Sequence, residues 1–358
     1  MHDRNRSNNF DFLRLAMAVL VIFSHSFPLA TGRQLGNVPD HVSLGKLAVA
    51  VFFAISGYLI AMSWDRAAGP LDYMRRRILR IYPGFIVAFI LSTWLLAPLV
   101  SLDPASYFTP HDVRLRALGA MLLHHVKGTT AFLGNPCPQT VNGSLWTISY
   151  EFWCYLGIAL FGMAGLLRRR WVVLAAFILA WATDFASTRI VLPTLHPAIT
   201  FVFGSPAEWP RFLTWFLGGT TLYAFRATIK FDGRVATLAG AALLATLIFR
   251  HGPVYIWPLA VPYLTFWFAF HPRINLWNVT RTLGGDYSYG MYLYAWPIQQ
   301  LLVMEFAAGH PLLLFALATP LTFAAAVVSW RFVERPFLRR KHARPVELLP
   351  PRELVAAP

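Results

Sequence analysis

Ten long apolar runs, at about 12–31, 45–64, 81–100, 144–167, 171–187, 209–226, 235–250, 253–271, 286–305 and 311–331, constrain this chain more than any other feature. A bilayer core takes about 20 mostly apolar residues to cross as a helix, and no other open structure satisfies its own backbone there. The runs therefore predict an all-α polytopic membrane helix bundle of about ten transmembrane helices. Two further stretches are left outside the count. Leu115–Val126 is apolar for only about a dozen residues and is flanked by Arg114, Arg116 and Lys127, which suits an interfacial or re-entrant segment. Ile190–Gly204 is broken by Pro193, His196 and Pro197. The start resembles a signal peptide, with Arg4 and Arg6 ahead of the first run. However, Arg14 interrupts the approach and the run ends in Ser24-His25-Ser26 without a small-x-small site, so it reads as a retained span.

Charge sorting tests this count. With the N-terminus inside, 23 of the 31 basic residues fall on inner segments and eight on outer ones, as the positive-inside rule requires. Counting either ambiguous stretch as an eleventh span would put later basic clusters outside. The expectation is ten spans with both termini cytoplasmic, a membrane domain over 1–335 and a basic, Pro-rich tail over 336–358. The net charge of +15 then has a topological meaning. A nucleic-acid binder needs a solvated basic face, and with 57% hydrophobic and 13% charged residues too little polar surface remains to build one. The same composition excludes a soluble enzyme and a disordered scaffold. Cys137 and Cys154 form neither a disulfide framework nor a metal site by spacing, and read as small buried hydrophobes.

An ionisable side chain inside a span is costly and marks a candidate site. Arg14 and His25 lie eleven residues apart on the first run, so they point within roughly 20° of each other, about 16 Å apart along the axis. Asp11, one turn below Arg14, is placed to pair with it. A neutral imidazole is the usual base for activating a hydroxyl, although a packing histidine with an interfacial arginine would give the same pattern. At the mouth of the third run, Arg75-Arg76-Arg77-Ile78-Leu79-Arg80 puts Arg77 and Arg80 on one face, where arginine pairs suit phosphate. An ordinary topology determinant, such as Arg168–Arg170, looks similar. Glu151, about two turns below the outer end of the fourth run, lies near the estimated depth of His25. It could orient that imidazole or clamp two helices. His124-His125 lacks metal-ligand spacing and reads as surface, and the Asn142 sequon is uninformative by itself. No nucleotide P-loop, zinc-protease or α/β-hydrolase motif occurs.

Taken together, these residues resemble the acyltransferase-3 family of integral-membrane O-acyltransferases of extracytoplasmic glycans. The resemblance runs over nearly the whole chain, in ordered blocks. They are Arg14 with His25; Phe52-Phe53-Ala54-Ile55-Ser56-Gly57-Tyr58-Leu59; Arg77 with Arg80; Ser144-Leu145-Trp146-Thr147 followed by Glu151; Ser288-Tyr289-Gly290-Met291-Tyr292-Leu293; and Val333-Glu334-Arg335-Pro336. It departs at Tyr294-Ala295-Trp296-Pro297, where many relatives carry a histidine. The resemblance implies a multi-pass protein of the bacterial cytoplasmic (inner) membrane. It would move an acetyl or other short acyl group from cytoplasmic acyl-coenzyme A (acetyl-CoA) to a hydroxyl of an O-antigen, exopolysaccharide or similar saccharide, without a metal. Arg14, Arg77 and Arg80 would bind the donor, His25 would act as general base with Glu151 beside it, and Arg14 could also secure the inner end through Asp11. Ser56, Ser144 and Trp146 are candidates for the oxyanion donor. A transporter or flippase of an anionic glycan precursor is the alternative, using the same buried charges as a pathway.

Overall fold

A computed structural model describes residues 8–35, 43–124, 130–190, 195–249, 251–271, 273–274, 276 and 282–340. His125 and the tail beyond Arg340 lie outside these residues. Among the described residues the chain is helical, with no β-strand and one isolated bridge between Ser101 and Ala131. Each of the ten apolar runs carries a helix. These are α1 (Phe10–Thr31), α2 (Leu44–Asp65), α3 (Pro70–Ile90, prolonged to Leu99), α5 (Trp146–Met163), α6 (Arg170–Ser187), α8 (Trp209–Ala224), α9 (Gly233–Ala245), α10 (Gly252–Phe270), α11 (Ser288–Leu302) and α12 (Pro311–Ser329). Short helices α4 (Pro110–Met121) and α7 (Pro197–Phe203) occupy the two stretches left out of the count.

Six of these helices are long and apolar enough to cross a membrane: α1, α2, α3, α6, α10 and α12 with its extension to Arg339. The other four fall short for physical reasons. α8, α9 and α11 have 16, 13 and 15 residues, below the usual spanning length. α5 has 18 residues, but Glu151 and several aromatic hydroxyls dilute its hydropathy. Large apolar side chains line the outside, among them Leu160, Leu179, Leu238, Leu244 and Leu321, all more than half exposed. A water-soluble monomer rarely shows so much contiguous apolar surface.

The interior has two main cores that meet near α1 and α2. One gathers Phe53, Phe85, Phe89, Phe212, Phe216 and Phe266 from α2, α3, α8 and α10. The other packs Ala18 and Ile22 of α1 against Met291 and Ala295 of α11 and Leu314 and Ala318 of α12. α2 and α8 cross backbone to backbone. A methyl on Gly57 would fall 1.9 Å from the Phe216 carbonyl oxygen, and one on Gly219 would fall 1.9 Å from that of Ala54. Small residues at such crossings let apolar helices approach closely where no hydrophobic effect drives them together. Pro28 sits inside α1, which ends at Gly32 with φ +70°; the Gly32 N–H bonds back to the Pro28 carbonyl in a left-handed cap.

Among the described residues, three π-helical segments interrupt the regular winding: Leu91–Leu96, Val303–Ala307 and Trp330–Glu334. Such segments shift the register of the downstream residues and often occur at functional sites. The last one delivers Glu334, whose side chain is only 2% exposed, to a buried cluster of charges beside Arg80.

Candidate active site

Five helices converge on one partly open cavity. α1 contributes Arg14, α2 contributes Ser56, and α3 contributes Arg77 and Arg80. α5 contributes Thr147, Glu151 and Tyr155, while α11 contributes Ser288, Tyr289 and Tyr292. Apolar side chains fill the rest, Phe52, Phe53, Ile60 and Ile148 among them. Four of the five candidate site residues therefore face one space. His25 is not in its lining.

The arginines differ in how they are balanced. Arg14 and Arg80 share one carboxylate: Asp286 Oδ2 lies 2.8 Å from Arg14 and 2.5 Å from Arg80. Arg80 also lies 4.0 Å from Glu334 and over the ring of Tyr289. The Ser288 hydroxyl donates to Asp286 Oδ1 at 2.5 Å, and Ser329 donates to Glu334 at 3.1 Å. The expected Asp11–Arg14 pair is present but long, 3.9 Å, with Asp11 mostly exposed. Arg77 is different. It donates to the Ser63 hydroxyl at 3.2 Å and lies over the Tyr73 ring. Its Nε is buried without a partner, and among the described residues no carboxylate stands within salt-bridge distance.

Glu151 is a hydrogen-bond hub. Its Oε1 accepts from the Ser56 hydroxyl at 2.5 Å and from the Tyr155 hydroxyl, and Thr147 pairs with Tyr292 at 2.6 Å next to it. The sequence suggested that a shared depth could bring Glu151 to His25. No bond joins them, because the carboxylate turns toward the two hydroxyls of α2 and its own helix. Of the three oxyanion candidates only Ser56 lines the cavity. Ser144 has a buried hydroxyl without a partner, and Trp146 packs against Tyr150 and Phe212.

His25 lies at the far end of α1 from Arg14, against the indole of Trp296, with ring centroids 4.8 Å apart and planes at 76°. Trp296 is one turn beyond the cavity-lining Tyr292 on α11, so His25 meets α11 at a neighbouring turn. Amides and hydroxyls tie the helices together there. Gln299 donates to the Ile22 carbonyl (2.9 Å) and the Ser26 hydroxyl (2.8 Å), and Gln300 donates to the Cys137 and Thr140 carbonyls. Asn135 reaches Gln300. Asn142, buried, donates to the Leu293 carbonyl at 2.9 Å and to Ser92 at 3.1 Å, so its amide serves the fold. Cys154 is buried and Cys137 half-buried, both free thiols. Among the described residues no group of three or more potential ligands is placed for a metal ion.

Sequence reasoning missed Asp286, Glu334, Gln299 and Gln300. Each left a trace. Asp286 opens the ninth apolar run, Glu334 stands in a block noted only as a family marker, and the adjacent glutamines interrupt an otherwise apolar run.

A helical bundle with long apolar helices, an apolar exterior and charge buried between helices defines a multi-pass membrane protein with an internal polar site. The acyltransferase-3 family profile, an acyltransferase domain, matches residues 7–331, and the chain belongs to that family of acyltransferases. It is 27% identical over 344 residues to a protein of Shigella phage Sf6 called an O-acetyl transferase, covering 94% of this chain and 97% of the relative. It is 29% identical over 367 residues to nodulation protein 10 of Rhizobium leguminosarum bv. viciae, with 94% and 95% covered. Over 329 residues it is 25% identical to the exopolysaccharide production protein ExoZ of Rhizobium meliloti (strain 1021), with 86% and 93% covered. No solved structure matches.

Proposed function

We propose that the protein transfers an acetyl or other short acyl group from acyl-coenzyme A to a hydroxyl of an extracytoplasmic saccharide, such as O-antigen or exopolysaccharide, in a bacterial inner membrane. The observation that carries this reading is the cavity lined by three arginines together with Glu151 and its hydroxyls, within a chain of acyltransferase family. The names of the relatives favour O-acetylation and polysaccharide acceptors. We read the ten apolar runs, six of which carry helices of full spanning length, and the charge bias as ten spans with both termini cytoplasmic, which would put the Arg14 end of α1 inside and the His25 end outside. The transport alternative finds no support in these relatives.

On this reading Arg77 binds an anionic group of the donor, because a buried guanidinium without a carboxylate is stabilised by one. Arg14 and Arg80, already neutralised by Asp286 and Glu334, hold the inner wall of the cavity and add weaker attraction. His25 takes the proton of the acceptor hydroxyl as its oxygen attacks the thioester carbonyl. The carbon–sulfur bond then breaks, and the proton passes to the leaving thiolate. Ser56 is the candidate oxyanion donor on the cavity wall, and to serve it exchanges its present hydrogen bond to Glu151 for one to the reacting oxygen.

Surface glycans compared by mass from cells with and without the gene should differ by acetyl units, and cells carrying His25→Ala should match the deletion. Wild-type acylation in His25→Ala would refute the base. Unaltered glycan masses in the deletion strain would refute the saccharide acceptor.

A further inference from the structure

The outer end of α1 poses a problem of orientation. A general base must present one ring nitrogen in a fixed direction, and proteins ordinarily fix it by giving the other nitrogen a carboxylate or carbonyl partner. Here His25 Nδ1 is buried with no hydrogen-bond partner. The side chain that meets the imidazole is Trp296, edge to face at 4.8 Å.

Trp296 is itself held on two sides. Its indole N–H donates to the Thr140 carbonyl at 3.0 Å. Its ring fills the space beside Gly143, where an added methyl would fall 2.7 Å from the indole. One turn on, Gln299 ties α11 to the Ile22 carbonyl and the Ser26 hydroxyl, which flank His25 along α1. The indole thus cannot swing away from the imidazole without breaking a hydrogen bond or displacing the Gly143 backbone.

We propose that Trp296 is a positioning residue for His25: an indole locked by Thr140 and Gly143 sets the direction of the imidazole in place of a hydrogen-bonded orienter. The proposal rests on the reading of His25 as the base. Aromatic pairs of this geometry are individually modest, about 0.5–1.5 kcal/mol. Their leverage lies in placement, since a displacement of about 1 Å at a catalytic group can cost on the order of a hundredfold in rate.

The test uses membranes carrying the full chain, with acetyl-coenzyme A as the probe and released thiol as the readout. Trp296→Ala should lower kcat by about tenfold to a hundredfold while KM for acetyl-coenzyme A stays within about twofold. Trp296→Phe, which keeps a ring edge beside His25 but loses the N–H bond to Thr140, should recover part of the rate. Gly143→Ala leaves both side chains chemically intact and should reproduce the kcat loss by pushing the indole. Wild-type kcat in Trp296→Ala overturns the proposal. So does a loss that follows folded yield alone and is absent from Gly143→Ala. If Trp296→Ala does not fold, Trp296→Phe and Gly143→Ala decide: wild-type kcat in Gly143→Ala, or no recovery in a folded Trp296→Phe, overturns it. His25→Ala separates the two levels. Undiminished turnover there refutes the base itself, whereas an inactive His25→Ala beside a normal Trp296→Ala refutes only the positioning role.

Discussion

The two ends of α1 solve opposite problems. At the Arg14 end, charge is set against charge: two guanidiniums close on Asp286, and Glu334 is brought in by a π-helical turn. At the His25 end amides, hydroxyls and an indole hold the helices together. Burying an ion is expensive unless it is paired, so the first end is stable only as a set. A neutral network has no such penalty but depends on geometry. Arg77 stands between the two styles, a cation near the charged end that the set leaves without a carboxylate.

The largest effect is expected from breaking the charged end. Asp286→Ala leaves Arg14 and Arg80 facing each other without their shared carboxylate, and should destabilise the bundle by about 3–5 kcal/mol, read as thermal unfolding in detergent. The double variant Asp286→Ala/Arg14→Ala should recover part of that loss by removing one stranded cation. A single variant as stable as wild type would show that the knot contributes nothing. The neutral end should yield less. Asn142→Ala strands the Leu293 carbonyl and the Ser144 N–H, a loss of about 1–3 kcal/mol in the same measurement. If Asn142→Ala cost as much as Asp286→Ala, the contrast between the two ends would be lost.

Arg77 sharpens the comparison because its role separates from stability. Arg77→Ala should weaken donor binding about tenfold, or about 1.4 kcal/mol, with little change in unfolding temperature. Arg80→Ala should do the reverse, losing stability first, since it removes the partner of two buried carboxylates. Binding of coenzyme A to the two purified variants distinguishes them. Unchanged binding in Arg77→Ala would remove the assignment of that guanidinium to the donor.

These contrasts also mark what the sequence could and could not reveal. Helix positions were legible because ten apolar runs carry a length signal that tertiary context cannot erase. Arg14, Arg77, Arg80 and Glu151 stood out because each is a charge within or at the mouth of such a run, and they do meet in one cavity. Their partners were harder to find. Asp286 lies 206 residues from Arg80, and nothing local says which of several basic groups it will neutralise. The suggestion that Glu151 orients His25 rested on depth alone. Depth fixes one coordinate of three, and the rotation of α5 turns that carboxylate to Ser56 and Tyr155. Trp296 shows in the sequence only as a departure from relatives. Its contact with His25 depends on α11 packing on α1, which no local pattern encodes.

The smallest effect is expected at Asp11, and it tests where the charged end stops. Helical spacing predicts that Asp11 pairs with Arg14, and the two do approach to 3.9 Å. However, the Asp11 side chain is 59% exposed, and Arg14 has a far closer partner in Asp286 at 2.8 Å. A pair of that length open to solvent is screened and flexible, so Asp11→Asn should change stability by about 0.5 kcal/mol or less. Acyl transfer should remain near wild type, because the variant leaves Arg14 bound to Asp286 and the cavity wall unmoved. A loss approaching that of Asp286→Ala would mean that Arg14 is held by its own helix and not across the bundle. The joint between α1 and the α11 entry would then lie one turn lower than the ion pairs place it.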